Sequence, residues 1–181
     1  MTARKWTHII IHHTGAEEKD AAQVRRYHLS LGWIDTGYHY VIERAGRVVP
    51  GRGLTFAGAH CLASGMNSKG IGIALIGNLD NHPALPPQER TLLKLVRDLS
   101  GRFSIPVGNV LGHKEVPGAA TACPGKHLSM ASLRSSLKVK SEKIHRVQVG
   151  AYRIRENAED MANRLRKAGF PVVIIEGTLD S

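Results

Sequence analysis

The chain has 181 residues, enough for one domain of ordinary size and a small appendage but not for two full domains. Apolar residues make up 42% and charged residues 22%, which excludes a disordered or low-complexity chain. The 25 basic residues exceed the 15 acidic ones by ten. On charge alone this indicates either an ordinary basic surface or a polyanionic partner such as nucleic acid, an acidic membrane surface or an anionic cell-wall polymer.

The excess positive charge belongs to the first part of the chain. Residues 1–140 hold 18 basic and 9 acidic residues, whereas residues 141–181 hold 7 and 6. No stretch approaches the roughly 20 apolar residues of a membrane span. The N-terminal residues also lack the apolar core of a signal peptide. We therefore expect a protein that is made in the cytoplasm without a signal peptide and has no membrane span.

The predicted elements alternate along the chain. The first is a strand over Trp6–His13, an apolar run with three successive isoleucines, as in buried central strands. After it come, in chain order, a helix over 20–31, a hairpin of strands over 38–44 and 48–50, a buried strand over 70–77, a helix over about 87–103, a loop over 105–127 and a helix over about 129–137. This alternation predicts an α/β fold, with a central, mixed and mainly buried β-sheet flanked by helices.

The C-terminal part has a pattern of its own. A charged segment at residues 138–143 predicts a linker between a domain over 1–137 and a tail over 144–181. The tail is predicted as a short β-α-β appendage, with a strand at Val147 and Val149, a helix capped by Asn157 and a strand over Pro171–Ile175. Two strands and one helix bury little surface, so we interpret the tail as part of a larger module.

Histidine and cysteine are the candidate metal ligands. His12 and His13 point to opposite faces of the first strand, and the apolar pattern does not choose between them. His113 and Cys123 lie in the predicted loop, and imidazole with thiolate suits a zinc site that keeps one position open for catalysis. No C-x-x-C motif occurs, which argues against a closed structural zinc site. A glycine-rich loop with a buried thiol is the alternative interpretation, and a single disulfide to Cys61 stays open.

Five segments resemble the zinc-dependent N-acetylmuramoyl-L-alanine amidases, the family type that includes phage endolysins and peptidoglycan recognition proteins. They are IIIHHTG (9–15), GWIDTGYHYVIERAGRVVPGR (32–52), GAH (58–60), NSKGIGIALIGN (67–78) and GHKEVPGAATACPG (112–125). They occur in the family's order and span most of residues 6–128. The resemblance implies zinc-dependent hydrolysis of the amide bond between N-acetylmuramic acid and L-alanine in peptidoglycan.

The resemblance also implies roles for individual residues. The zinc ligands would be His12, His113 and Cys123. Tyr38 and Thr121 would be catalytic and face the reacting water and the substrate, while His60 would line the groove with His39 as a second substrate-binding residue.

Two departures from the family pattern stand out. The interval from His113 to Cys123 is about two residues longer than is common in the family, and Ala74 lies where some relatives carry an acidic general base. The alternative function is a non-catalytic peptidoglycan receptor on the same fold. Retention of Cys123 favours the enzyme, because family members that only bind tend to lack this ligand.

The tail over 147–175 resembles the first half of a SPOR repeat, a peptidoglycan-binding module. We expect peptidoglycan as the partner, anionic wall polymers as a further one, and action at the bacterial cell wall by a monomer. Nucleic acid is not expected, since that interpretation rests on charge alone. Both a phage lysin and a bacterial wall-remodelling enzyme remain open.

Overall fold

A computed structural model describes residues 4–138 and 150–177. The chain forms two compact units, Met1–Lys140 and Ser141–Ser181. Apart from Lys138, the predicted linker over 138–143 lies outside the described residues, and so does the predicted strand at Val147 and Val149.

The first unit contains a mixed sheet, as predicted, and this sheet has five strands among the described residues. Its strands are β1 (His8–His13), β2 (Tyr40–Ile42), β3 (Val48–Pro50), β4 (Gly70–Leu75) and β5 (Val110–Gly112). Their order across the sheet is β3-β2-β4-β1-β5. All neighbouring pairs are parallel except β2 and β3, which form the predicted antiparallel hairpin.

The central strands are buried on both faces. Ile9, Ile10 and Ile11 of β1 are fully buried, and every residue of β4 is buried as well. A parallel sheet requires cover on both sides, because its connections place other elements over each face. The continuous apolar runs in these two strands follow from that requirement.

Within residues 4–138 and 150–177, four helices belong to the first unit and one to the second. They are α1 (Ala21–Ser30), α2 (Met66–Lys69), α3 (Pro86–Phe103), α4 (Met130–Lys138) and α5 (Arg155–Lys167). Helix α3 places Leu92, Val96 and Leu99 in the main hydrophobic core. The three long helices predicted for this unit are confirmed to within two residues at either end.

The segment over 105–127 is more ordered than predicted. It contains strand β5 and two short 3-10 turns, Val107–Asn109 and His113–Glu115. Three residues are too few for a period of two to be recognised, and β5 is a strand because it pairs with β1. The loop interpretation of this segment was therefore wrong for β5.

In the second unit only the helix is seen among the described residues. Helix α5 begins at Arg155 with Ile154 as its N-cap, so the predicted cap at Asn157 was wrong. No strand forms over 171–175, where Val173 is 81% and Ile175 70% exposed. A strand needs a hydrogen-bonded neighbour, and the described residues of this unit provide none. Nowhere in the described ranges does a helix have the length and apolar character to cross a membrane.

Candidate metal centre

Three potential metal ligands meet at one edge of the sheet. His12 lies near the carboxyl end of β1, and His113 follows β5 directly. Because β1 and β5 are adjacent parallel strands, their carboxyl ends lie at the same edge. Cys123 reaches this edge from the following loop, and the ligand atoms of the three side chains lie within 4.8 Å of one another.

The cluster has the donor set of a catalytic zinc site, because two imidazoles and one thiol supply three of the four ligands of a tetrahedral ion. His12 is 1% exposed, and its Nδ1 lies 3.5 Å from Cys123 Sγ. Burial lowers the pKa of His12 well below its ordinary value, so the ring is neutral and has a lone pair to offer. Burial raises the pKa of Cys123 to about 12, so this thiol needs a nearby cation in order to ionise. These residues therefore fit a bound zinc ion.

Hydrogen bonds hold the loop that carries Cys123. The backbone N–H of Lys114 donates to the Cys123 carbonyl at 2.7 Å, and Lys114 Nζ donates to the Gly125 carbonyl at 3.1 Å. Gly125 has φ +93°, and a Cβ there would lie 2.4 Å from the Leu79 carbonyl carbon. Only glycine fits this close approach, which fixes the chain just beyond the cysteine.

An ion pair anchors the turn that carries His113. Glu115 accepts a hydrogen bond from the Gly112 N–H at 2.9 Å and forms a two-pronged contact with Arg134 of α4 at 2.7 and 2.8 Å. Three supporting residues were not predicted from the sequence, namely Lys114, Glu115 and Arg134. The first two lie within the 112–125 segment, but only the fold identifies their partners.

Tyr38 and Thr121 both lie beside the cluster. The Tyr38 ring centroid is 5.3 Å from that of His12, and burial raises the pKa of Tyr38, so its hydroxyl keeps its proton at neutral pH. Thr121 is exposed, and its Oγ1 accepts a hydrogen bond from the Cys123 N–H at 3.1 Å. Both hydroxyls can therefore donate a hydrogen bond to a bound ligand.

His39 and His60 lie beneath the site and do not form its surface. His39 is 1% exposed, and its ring nitrogens contact the Gly72 N–H at 2.9 Å and the Phe56 carbonyl at 3.3 Å. His60 is 9% exposed, with Nδ1 3.1 Å from His12 Nε2. Both rings are buried among protein atoms in this structure, and the substrate-binding role of His39 and His60 stays a prediction.

Tertiary contacts decide two points that the sequence left open. His13 Nδ1 accepts a hydrogen bond from the Leu79 N–H at 3.0 Å, so this histidine connects two segments of the first unit while His12 faces the cluster. Cys61 and Cys123 are both free thiols, so the two cysteines form no disulfide.

The chain matches two domain families. Residues 2–126 match the sequence profile described as N-acetylmuramoyl-L-alanine amidase. Residues 141–179 match the profile of the SPOR domain.

Curated relatives come from insects and from phages. Peptidoglycan-recognition protein SC2 of Drosophila simulans is 36% identical over 132 residues, which cover 67% of this chain and 70% of the relative. The endolysin of Escherichia phage T7 is 36% identical over 108 residues, covering 56% of this chain and 67% of the endolysin. Among solved structures, the N-acetylmuramoyl-L-alanine amidase LysC from Clostridium intestinale superposes with a TM-score of 0.68 at 30% identity, covering 76% of this chain and 89% of that one.

Proposed function

The chain belongs to the N-acetylmuramoyl-L-alanine amidase family, and from this premise we propose that it hydrolyses the amide bond between N-acetylmuramic acid and L-alanine in peptidoglycan with zinc as its cofactor. The observation that carries the proposal is the cluster of His12, His113 and Cys123, whose ligand atoms lie within 4.8 Å of one another. A family member that only bound peptidoglycan would have no need of three converging metal ligands.

The three side chains of the cluster would hold the metal ion. When bound there, zinc supplies a Lewis acid that polarises a carbonyl group and lowers the pKa of water to about 7. Burial keeps the His12 ring neutral and its lone pair available. The hydrogen bonds around Lys114 hold Cys123 in place, so the ligands are positioned before a substrate arrives.

Tyr38 and Thr121 are the proposed donors to the reacting amide. When water attacks the carbonyl carbon, negative charge develops on the carbonyl oxygen and requires hydrogen-bond donors. Tyr38 keeps its proton at neutral pH and can donate it to this oxygen. The Thr121 oxygen already accepts the Cys123 N–H, which leaves its own proton free for the same purpose. Each such donor is worth roughly 3–4 kcal/mol in the transition state.

Charge and domain content support the cell wall as the place of action. Residues 1–140 carry 18 basic and 9 acidic side chains, which suits a wall that contains anionic polymers. We further propose that residues 1–137 form the amidase domain and that residues 144–181 contact peptidoglycan, in line with the SPOR match.

Product analysis tests this function. The full chain is incubated with purified walls and with a defined muropeptide, and the products are identified by mass spectrometry. Amidase activity gives a new amino-terminal L-alanine and an intact lactyl carboxyl group on the sugar. His113→Ala should abolish both products while leaving the fold intact, because this ligand is partly exposed in a short turn. Cleavage at a sugar–sugar or peptide bond, or wall binding without cleavage as in a receptor, would contradict the proposal.

A further inference from the structure

A chain of hydrogen bonds runs from the backbone of β4 to His12 in the cluster of potential metal ligands. The first contact joins His60 Nε2 to the carbonyl oxygen of Gly70 at 3.1 Å. The second joins His60 Nδ1 to His12 Nε2, also at 3.1 Å. Both rings are buried, so water does not compete for these contacts.

The direction of these hydrogen bonds follows from the carbonyl group. A carbonyl oxygen only accepts, so His60 Nε2 must carry a proton and donate it to Gly70. A neutral imidazole has one N–H, which makes His60 Nδ1 an acceptor. His12 Nε2 then has to be the donor in the contact between the two rings.

This hydrogen bond determines the protonation of the other nitrogen of His12. With its proton on Nε2, the ring has an unprotonated Nδ1, and this atom lies 3.5 Å from Cys123 Sγ, another member of the ligand cluster. In the opposite tautomer Nδ1 would carry the proton and could not bind a cation. The acceptor on His60 therefore selects the tautomer of His12 that can be a ligand.

Two glycines leave room for the His60 ring. A Cβ at Gly72 would lie 2.5 Å from its Cδ2, and a Cβ at Gly58 would lie 2.4 Å from the same atom. Its backbone is held as well, since Asn67 Oδ1 accepts hydrogen bonds from the N–H groups of His60 and Cys61, both at 2.7 Å. Two glycines and an asparagine thus fix the ring against His12.

We propose that His60 is a positioning residue that fixes the tautomer and orientation of His12, so that His12 Nδ1 is the metal-ligating atom. The inference rests on the proposed function in one respect, namely that His12 is a metal ligand. In metalloproteins, loss of such a supporting partner typically weakens metal binding by 10–100-fold.

The test uses the full chain and three variants. His60→Leu removes the acceptor, whereas His60→Asn retains an amide oxygen near the position of Nδ1. His39→Gln is the matched control, because His39 is buried as well and its ring centroid lies 5.6 Å from that of His60, but its own nitrogens bond to backbone groups. The readouts are the histidine tautomers of the metal-free chain from nitrogen-15 NMR and the zinc Kd from competition with a chelator.

We expect His12 of the metal-free wild type to carry its proton on Nε2. Zinc binding should weaken by 10–100-fold in His60→Leu, by less than tenfold in His60→Asn, and to no measurable extent in His39→Gln. An Nδ1–H tautomer of His12 in the wild type would overturn the inference, and this readout does not depend on whether the variants fold. Wild-type zinc affinity in His60→Leu would also overturn it.

The failure of the inference can be told apart from failure of the proposed function. If the wild type binds zinc with the expected tautomer but does not cleave the amide, the function is wrong and the role of His60 stands. If the wild type cleaves the amide while His60→Leu binds zinc as tightly, the function stands and the role of His60 is wrong.

Discussion

Tyr38 enters the site with its hydroxyl protonated, since burial raises its pKa, and its ring lies 5.3 Å from that of His12. Tyr38→Phe removes this hydroxyl and leaves the metal ligands untouched. We expect kcat to fall by about 10²-fold or more, as on removal of other oxyanion donors, with the zinc content unchanged. Steady-state kinetics on a muropeptide, with zinc analysis of the same sample, measures both quantities. A kcat close to that of the wild type would move the role to Thr121.

Most residues of the candidate site were predicted from residue types and motifs, and the remaining ones are identified only by their tertiary contacts. His12, His113 and Cys123 were predicted from the family resemblance, and the structure brings them together. The strand pattern could not choose between His12 and His13, because the difference lies in the contact of His13 with the Leu79 N–H. The His60 ring also needs the space at Gly72 of β4, and this contact could not be predicted from the 58–60 segment.

Among the strands, β4 contains Gly72, which leaves space for the His60 ring. A Cβ at Gly72 would lie 2.5 Å from the His60 ring, and this ring is boxed in by its neighbours. Gly72→Ala should therefore lower the free energy of unfolding by about 1–3 kcal/mol and weaken zinc binding as the ring shifts. Denaturant unfolding and chelator competition measure the two effects.

Gly101 in α3 provides the matched control for this substitution. A Cβ at Gly101 meets nothing within 4 Å, and the residue lies in a helix. Gly101→Ala should raise the free energy of unfolding by about 0.5–1 kcal/mol, because alanine loses less backbone entropy on folding. Equal effects of the two substitutions would show that the space at Gly72 is not needed for His60.

The elements that the sequence predicted well are those with enough residues for a pattern. Helix α3 repeats its apolar positions over 18 residues, and β1 and β4 are continuous apolar runs. Strand β5 has three residues and exists through its pairing with β1, so its local pattern carried no signal. The strand expected over 171–175 has suitable residues but no paired neighbour among the described residues, and composition alone could not reveal that.

In the molecule as a whole, the net charge is divided unevenly between the two units. Residues 141–181 contain 7 basic and 6 acidic side chains, so nearly all of the net charge belongs to the first unit. A chain that ends at Lys140 should cleave a small muropeptide at the wild-type rate. Its binding to intact walls at low salt should weaken only slightly, because the basic first unit supplies most of the attraction.

Muropeptide cleavage and wall pull-down at two salt concentrations check this expectation, with the full chain as the reference. Higher salt should weaken the wall binding of both forms. A collapse of muropeptide cleavage in the shortened chain would mean that the second unit is part of the catalytic domain. A large loss of wall binding would assign the attraction to the SPOR-like segment instead.

The central claim is that the ligand cluster binds the zinc ion that amide hydrolysis requires. The most direct test is to titrate zinc into the metal-free full chain and to record the release of amino-terminal L-alanine. Because three converging side chains form one site, the rate should rise with added zinc and stop rising at one zinc ion per chain. The His113→Ala variant should show no such rise. Full activity in the absence of metal, or no hydrolysis of the amide at any zinc concentration, would contradict the account.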